Sequence, residues 1–336
     1  MKIVVDNKIP YIRETLAKIT DNVVYLPGNE IDAESVKDAD ALITRTRTKC
    51  NKQLLEGSNV KFIGTATIGF DHIDTEYCKE AGITWKNCPG CNAGAVEQYV
   101  HAVLSLLEKE KGMDLANTCI GIVGVGHVGS RIMRLAGRLG MKVLLNDPPR
   151  KDSGEKGFVD LETLARECDI ITFHTPLIKD SKYKTFHLAD RQFFESVRKR
   201  PVIINTSRGE VIDTEAILDA LNKGLISEAV IDVWENEPNI NLELLKRVFV
   251  GTPHIAGYSA DGKLNATTMT LKSLCDFFGI DMNIDLSLPE DLIKPESSVS
   301  ENDILLNYNP KNDYNILLAH PEDFEKLRGN YRLRKE

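Results

Sequence analysis

Three polar side chains in the second half of the chain have the types that oxidation of a hydroxy acid requires. Arg208 follows the run VIINTS, Glu237 follows AVIDVWEN and His254 follows VFVGTP. Each run is short, apolar and rich in β-branched residues, so each predicts a strand with the polar residue where the strand ends. In open parallel α/β sheets, ligands gather at the carboxyl ends of strands. Removing hydrogen from a secondary alcohol beside a carboxylate needs a base for the hydroxyl proton, a cation for the carboxylate, and a neighbour that orients and tunes the base. Imidazole, guanidinium and carboxylate meet those needs in turn, and the planar guanidinium fork suits two carboxylate oxygens. Among the residues alone, Glu235 competes with Glu237, and His254 is one of seven histidines.

An acceptor for the hydrogen is implied by Thr118–Gly129, TCIGIVGVGHVG. A β-branched run leads into Gly124, Gly126 and Gly129, and an apolar helical pattern follows. Strand, glycine turn and helix form the context that a dinucleotide site needs: the backbone approaches the pyrophosphate, whose charge meets the N–H groups of a helix N-terminus. Asp147, in VLLNDPP, ends the next strand, where its carboxylate bonds both adenosine ribose hydroxyls and repels a 2′-phosphate. NAD is therefore expected over NADP, although Arg150 lies close by.

These groups need two layered sheets to position them. Before the glycine loop, strands are expected at 2–6, 23–26, 41–44, 60–65 and 83–86, with helices near 11–19, 51–56 and 75–81. A long helix over 92–111 follows. After the loop come strands at 142–146, 169–173, 201–205, 229–233 and 248–251, with a helix at 214–223. The helix expected at 265–279 returns to the first domain. Residues 281–300 read as a connection. Beyond them, Ile304–Tyr308 and Asn315–Leu318 are strand candidates and Pro321–Arg328 is a charged helical stretch. The expected domains are a substrate-binding domain from 1–95 and 258–282, an NAD domain over 96–257, and a C-terminal extension over 283–336.

Bulk properties narrow the partners. The 336 residues suffice for two domains and a small third, and 42% apolar with 27% charged residues is ordinary for a globular chain. A net charge of −8 disfavours nucleic acid as a partner. No apolar run approaches the ~18–20 residues of a membrane span. Seven scattered cysteines fit the reduced thiols of a cytoplasm. Cys88-Pro-Gly-Cys91 has redox-motif spacing at the start of the long helix, where a thiol pKa can fall. The pattern reads better as a tight turn and helix start. No second pair has the spacing for zinc.

With these residues in place, the chain resembles the D-isomer-specific 2-hydroxyacid dehydrogenases. The matching strings are IGIVGVGHVG, FHTPL at Phe173–Leu177, NTSRGEVID at Asn205–Asp213, DVWENEP at Asp232–Pro238 and TPHIAGY at Thr252–Tyr258. The resemblance implies an NAD-dependent enzyme with Arg208, Glu237 and His254 as its catalytic set, and it selects Glu237 over Glu235. It implies cofactor contacts from Gly124, Gly126, His127, Val128, Gly129, Asp147, Thr175, Thr206, Ser207, Asp232 and Gly257, with Asp232 holding the nicotinamide carboxamide and His174 nearby. Its fold is α/β: a Rossmann-type NAD domain inserted in a flavodoxin-like substrate domain, here with a small α+β C-terminal dimerisation extension.

A closer likeness, within the family, to members that act on a phosphorylated sugar acid runs through MKIVVDNKIPY, GTATIGFDHID, PGCNAGAV, NDPPR, YKTFHLAD, GTPHIAGYSADGK and EDFEKLRGNY. It implies a homodimer and substrate contacts at Thr46, Thr67 and Tyr258. Arg208 would take the carboxylate, and Arg45, Arg47 or Lys49 of TRTRTKC the phosphate. Relatives acting on phosphoglycerate, glycerate or glyoxylate, and a dinucleotide-sensing protein without turnover, are the alternatives.

Overall fold

The computed structural model of the protein describes residues 1–288 and 304–336. Its chain divides into two compact units. The first comprises Met1–Asn92, the described residues from Ser259 to 288, and Lys335–Glu336; the second comprises Ala93–Tyr258 and 304–334.

The first unit is built on a parallel sheet of β1 (Ile3–Asp6), β2 (Val23–Leu26), β3 (Ala41–Thr44), β4 (Phe62–Thr65) and β5 (Thr84–Lys86). The order β2-β1-β3-β4-β5 is that of flavodoxin-like folds. Strands covered on both faces read as unbroken apolar runs, as in IVVD and ALIT, because alternate side chains enter opposite cores. Ile3, Val5 and Ile43 join one core with Phe62 and Leu271, while Val4, Leu42 and Ile63 join the other with Val36 and Leu55. Each such side chain, fully buried, stabilises the fold by roughly 1.5–3 kcal/mol. The helix Ala260–Phe278 closes the first of these cores, and it starts earlier than its apolar pattern because Ser259 caps Gly262 N–H at 2.8 Å.

The second unit holds β6 (Cys119–Val123), β7 (Lys142–Asn146), β8 (Ile170–Phe173), β9 (Val202–Asn205), β10 (Glu228–Ile231) and β11 (Val250–Gly251) in the order β11-β10-β9-β8-β6-β7, all parallel. The chain leaves β6 for β7 on one side and returns to β8 on the other. The glycine loop after β6 therefore lies at the topological switch point, where doubly wound sheets bind ligands. The helix Ala93–Lys111 buries Val96, Val100, Val103 and Leu107 at helical spacing against Ile120, Ile122 and Ile204. The α/β class and its two parallel sheets match the sequence expectation.

The C-terminal segment differs. Ile304–Tyr308 and Asn315–Leu318 were expected as strands, but the structure forms helices Ile304–Asn307 and Pro310–Ala319, then a 3-10 turn Pro321–Asp323 and helix Phe324–Gly329. Asn309 caps Lys311 N–H at 3.0 Å and Pro310 sits at the first helical position, which together start a helix where composition suggested a strand. Both strand candidates of this segment are thus helical. It also makes no core of its own: Leu317 and Phe324 bury in one core of the second unit and Tyr308 in the other. Residues 289–303, most of the expected connection, lie outside the described residues.

Both thiols of the Cys88–Cys91 spacing are buried. Burial raises the pKa of Cys88 and pushes Cys91 up to about 12, opposite to the lowering a helix start can give. Cys88 Sγ packs among Thr65 O, Ala266 O and Thr270 Oγ1.

Candidate active site

The glycine loop is shaped by close approach. Gly124 adopts φ +85°, and a Cβ there would lie 2.8 Å from His174 O; a Cβ on Gly129 would lie 2.0 Å from Gly124 O. A Cβ on Gly126 would meet nothing within 4 Å. That open side faces the start of helix His127–Arg138, whose N-terminus no side chain caps. Thr175 leans on the same loop, and its Oγ1 is buried without a hydrogen-bond partner. An uncapped helix start, space at Gly126 and an orphaned hydroxyl fit the phosphates of a dinucleotide.

Asp147 ends β7 and fixes the loop. Its Oδ2 accepts Val125 N–H at 2.9 Å and its Oδ1 accepts Arg150 N–H at 3.2 Å. Arg150 does not offer a free cation for a 2′-phosphate. Its Nη2 pairs with Glu155 Oε2 at 2.5 Å, its Nη1 donates to Val125 O at 2.7 Å, and it lies over the Phe158 ring. His174 bridges Thr172 Oγ1 at 2.9 Å and Thr206 Oγ1 at 3.2 Å. Desolvation pushes its pKa down to about 3, so it is a neutral positioning group at pH 7.

Arg208 follows β9. Asn205 folds back to receive Ser207 N–H and Oγ–H and donates to Arg208 O at 2.9 Å, which sets the turn. Gly209 lets this turn meet the next loop: a Cβ there would lie 2.0 Å from the Trp234 carbonyl carbon. Two glutamates leave that loop in different directions. Glu235 Oε1 meets His187 Nε2 at 2.7 Å and its Oε2 accepts Thr214 N–H at 2.8 Å. Glu237 Oε2 meets His254 Nδ1 at 2.8 Å and its Oε1 accepts Trp234 N–H at 2.9 Å. Burial opposes ionisation of Glu237. Its hydrogen bond to His254, the charge on that ring, the Trp234 N–H and Arg328 outweigh burial and hold its pKa below the usual value.

His254 stands at φ +58° just beyond β11. Asp232, at the end of β10, is 1% exposed and holds the His254 segment: its carboxylate accepts Thr252 Oγ1 at 2.7 Å, Ile255 N–H at 2.8 Å and Ala256 N–H at 3.0 Å. Burial raises its pKa, with the charge of His254 and these donors working the other way. Among the described residues His254 Nε2 has no hydrogen-bond partner, so one nitrogen is anchored and the other is available. A neutral imidazole in this setting can take a proton on Nε2 while Glu237 stabilises the resulting charge on Nδ1.

The second unit thus carries the glycine loop, Asp147, Thr175, Thr206, Ser207, Arg208, Asp232, Glu237, His254, Gly257 and Tyr258. Arg45, Thr46, Arg47 and Thr67 belong to the first. Arg45 is committed there, its Nε 3.0 Å from Asp6 Oδ2, because β1 pairs with β3 and their ends meet. Thr46 and Arg47 are exposed. Thr67 Oγ1 bonds Thr65 Oγ1 at 2.7 Å and Gly69 O at 2.8 Å. Two residues near the glutamates lie in strings that carry the family likeness, YKTFHLAD and EDFEKLRGNY, but were not singled out there. His187 completes the Glu235 contact, and Arg328 of the C-terminal helix lies 3.6 Å from Glu237 Oε2 and donates to Tyr258 OH at 3.2 Å.

Residues 94–256 match the family described as D-isomer specific 2-hydroxyacid dehydrogenase, NAD binding domain. The chain is 57% identical to the erythronate-4-phosphate dehydrogenase of Bacteroides fragilis, over 100% of this chain and 97% of that one. It is 42% identical to the Escherichia coli protein of the same name, over 100% of this chain and 92% of the relative. Among solved structures, NAD⁺-bound 3-phosphoglycerate dehydrogenase of Entamoeba histolytica superposes with a TM-score of 0.71 at 29% identity, covering 86% of this chain and 99% of that one. D-lactate dehydrogenase of Aquifex aeolicus, with NAD and lactic acid, gives 0.70 at 26%, covering 83% and 96%.

Proposed function

This chain belongs to the D-isomer-specific 2-hydroxyacid dehydrogenase family, as an enzyme whose cofactor is NAD, and from that premise we propose that it oxidises 4-phospho-D-erythronate at C2. The product is (R)-3-hydroxy-2-oxo-4-phosphooxybutanoate, a step of pyridoxal 5′-phosphate synthesis. The observation that carries the chemistry is the His254–Glu237 couple with Nε2 left available. Identity over the whole chain to two relatives of that one name carries the substrate.

In this reading His254 Nε2 accepts the C2 hydroxyl proton as the carbonyl forms, and Glu237 holds the imidazolium. Arg208 binds the substrate carboxylate through its guanidinium fork. When bound, NAD would supply the acceptor for the hydride that leaves C2. The uncapped start of helix His127–Arg138, with Gly126 and Thr175, would hold its phosphates, and Asp147 its ribose hydroxyls. Thr206, Ser207, Asp232 and Gly257 belong to the same cofactor set. Tyr258, Thr46 and Thr67 are substrate contacts. The phosphate falls to the basic cluster Arg45, Arg47 and Lys49, of which Arg45 also pairs with Asp6. We also assign the enzyme to the cytoplasm as a homodimer, with the substrate domain at 1–95 and 258–282 and the NAD domain at 96–257.

The relatives acting on phosphoglycerate or lactate are a weaker fit, at 29% and 26% identity against 57% and 42%. A sensor without turnover has no use for the anchored His254. The test is NADH formation from 4-phospho-D-erythronate beside 3-phospho-D-glycerate and D-lactate. A kcat/KM at least ~100-fold higher on the first is expected, since D-lactate lacks the phosphate and 3-phospho-D-glycerate carries it one carbon closer to the carboxylate. Comparable values on all three overturn the substrate assignment.

A further inference from the structure

The C-terminal helix Phe324–Gly329 delivers a cation to the catalytic couple. Arg328 Nη1 lies 3.6 Å from Glu237 Oε2, the oxygen that also meets His254 Nδ1 at 2.8 Å. Its Nε donates to Tyr258 OH at 3.2 Å, and Glu325 Oε1 lies 3.8 Å from Nη1. The side chain is 20% exposed, so the guanidinium is largely out of water, where a charge persists only with partners. Six residues on, Arg334 fixes the backbone of the same segment. Its Nη1 donates to Ile255 O at 3.0 Å, its Nη2 to Ala256 O and to Ala95 O at 3.0 Å, and its guanidinium lies 4.3 Å from the centre of the Tyr308 ring. Tyr331 meets Tyr258 edge to face at 6.2 Å. The C-terminal segment therefore grips residues 255–258, directly after His254, from three side chains.

We propose that Arg328 is a positioning residue for the proton-transfer couple: it holds the Glu237 carboxylate and the Tyr258 hydroxyl in place and shares one carboxylate oxygen with His254. This rests on the reading of His254 as the acid–base group. Among the described residues, the charged and titratable groups facing the couple are Arg328 with Glu325 behind it, Tyr258, and buried Asp232. Arg328 draws on the same negative charge that stabilises the imidazolium. Its removal leaves that charge to His254 alone, so the ring binds its proton more tightly and becomes a working base only at higher pH.

The test follows the His254 ring by NMR titration in the full-length protein without substrate, beside the pH profile of kcat/KM. In Arg328→Gln the His254 midpoint is expected to rise by roughly half a unit to one unit, as Coulomb's law gives for a charge lost at this range in a partly solvated site. The acid limb of kcat/KM should move the same way, and kcat/KM below that limb should fall about tenfold. Arg328→Lys keeps the charge and should hold the midpoint within about 0.2 units of wild type. Arg328→Met, with a similar stem and no charge, serves if the glutamine variant folds poorly. A midpoint that stays at the wild-type value in the uncharged variants, whatever their Tm, overturns the proposal. The NMR reading needs no substrate, so it stands apart from failure of the substrate assignment.

Discussion

Two imidazole–carboxylate pairs leave one loop, and they are nearly the same pair. His187–Glu235 spans 2.7 Å and His254–Glu237 spans 2.8 Å. Both histidines stand at positive φ, +50° and +58°. Distance and backbone strain therefore do not tell a structural pair from a catalytic one. What differs is the rest of each group's contacts. His187 has both ring nitrogens facing acids, since its Nδ1 lies 3.6 Å from Asp213 Oδ2, and its ring stacks on Phe186. Glu235 spends its second oxygen on the first turn of helix Thr214–Asn222. That pair ties a loop to a helix. His254 keeps Nε2 available, and Glu237 spends its second oxygen on the turn that carries it. A base must have one nitrogen held and one nitrogen to offer, and only the second pair has that.

The sharpest way to break this contrast is to neutralise each acid. Glu237→Gln is expected to lower kcat about 100-fold, because the imidazolium loses its counter-charge in the transition state. Glu235→Gln should leave kcat within about threefold and instead lower stability by about 1–2 kcal/mol, through the lost charge on Thr214 N–H and His187. Steady-state rates and denaturant unfolding on both variants check this. Equal losses of kcat would erase the distinction between the pairs.

A smaller effect separates them by pH. Glu237 has its folded-state pKa lowered, so it contributes stability that is present above the unfolded value of ~4.3 and lost as pH falls through the folded value. Wild type should therefore be more stable than Glu237→Gln at pH 5.5, and that margin should close on further acidification. Urea unfolding from pH 6 downward measures it. A margin that widens toward acid contradicts the reading of Glu237 as the stabilised carboxylate.

Much of this site was legible because it rests on local pattern. Short β-branched runs ending in Arg208, Glu237 and His254 are strands that deliver polar groups to one sheet edge, and the glycine loop lies at the switch point. What was not legible depends on contacts distant in sequence. The residues alone could not divide Glu235 from Glu237, because the partner histidines lie far from the loop. Arg45 read only as a candidate phosphate cation, and its pair with Asp6 depends on β1 lying beside β3. Arg328 is an ordinary basic residue of a charged helix, and its role depends on where that helix packs. Ile304–Tyr308 and Asn315–Leu318 looked extended by composition, yet the Asn309–Pro310 start and the burial of Leu317 made the segment helical.

The account turns on His254 being the group that moves the proton, and chemical rescue tests that most directly. His254→Ala and His187→Ala are each assayed for NADH formation from 4-phospho-D-erythronate with increasing imidazole. The account predicts that His254→Ala loses roughly 10³-fold in kcat and regains at least about tenfold with added imidazole, while His187→Ala keeps most of its turnover and shows no rescue. Near-normal turnover in His254→Ala, or a loss and rescue in His187→Ala that match it, would contradict it.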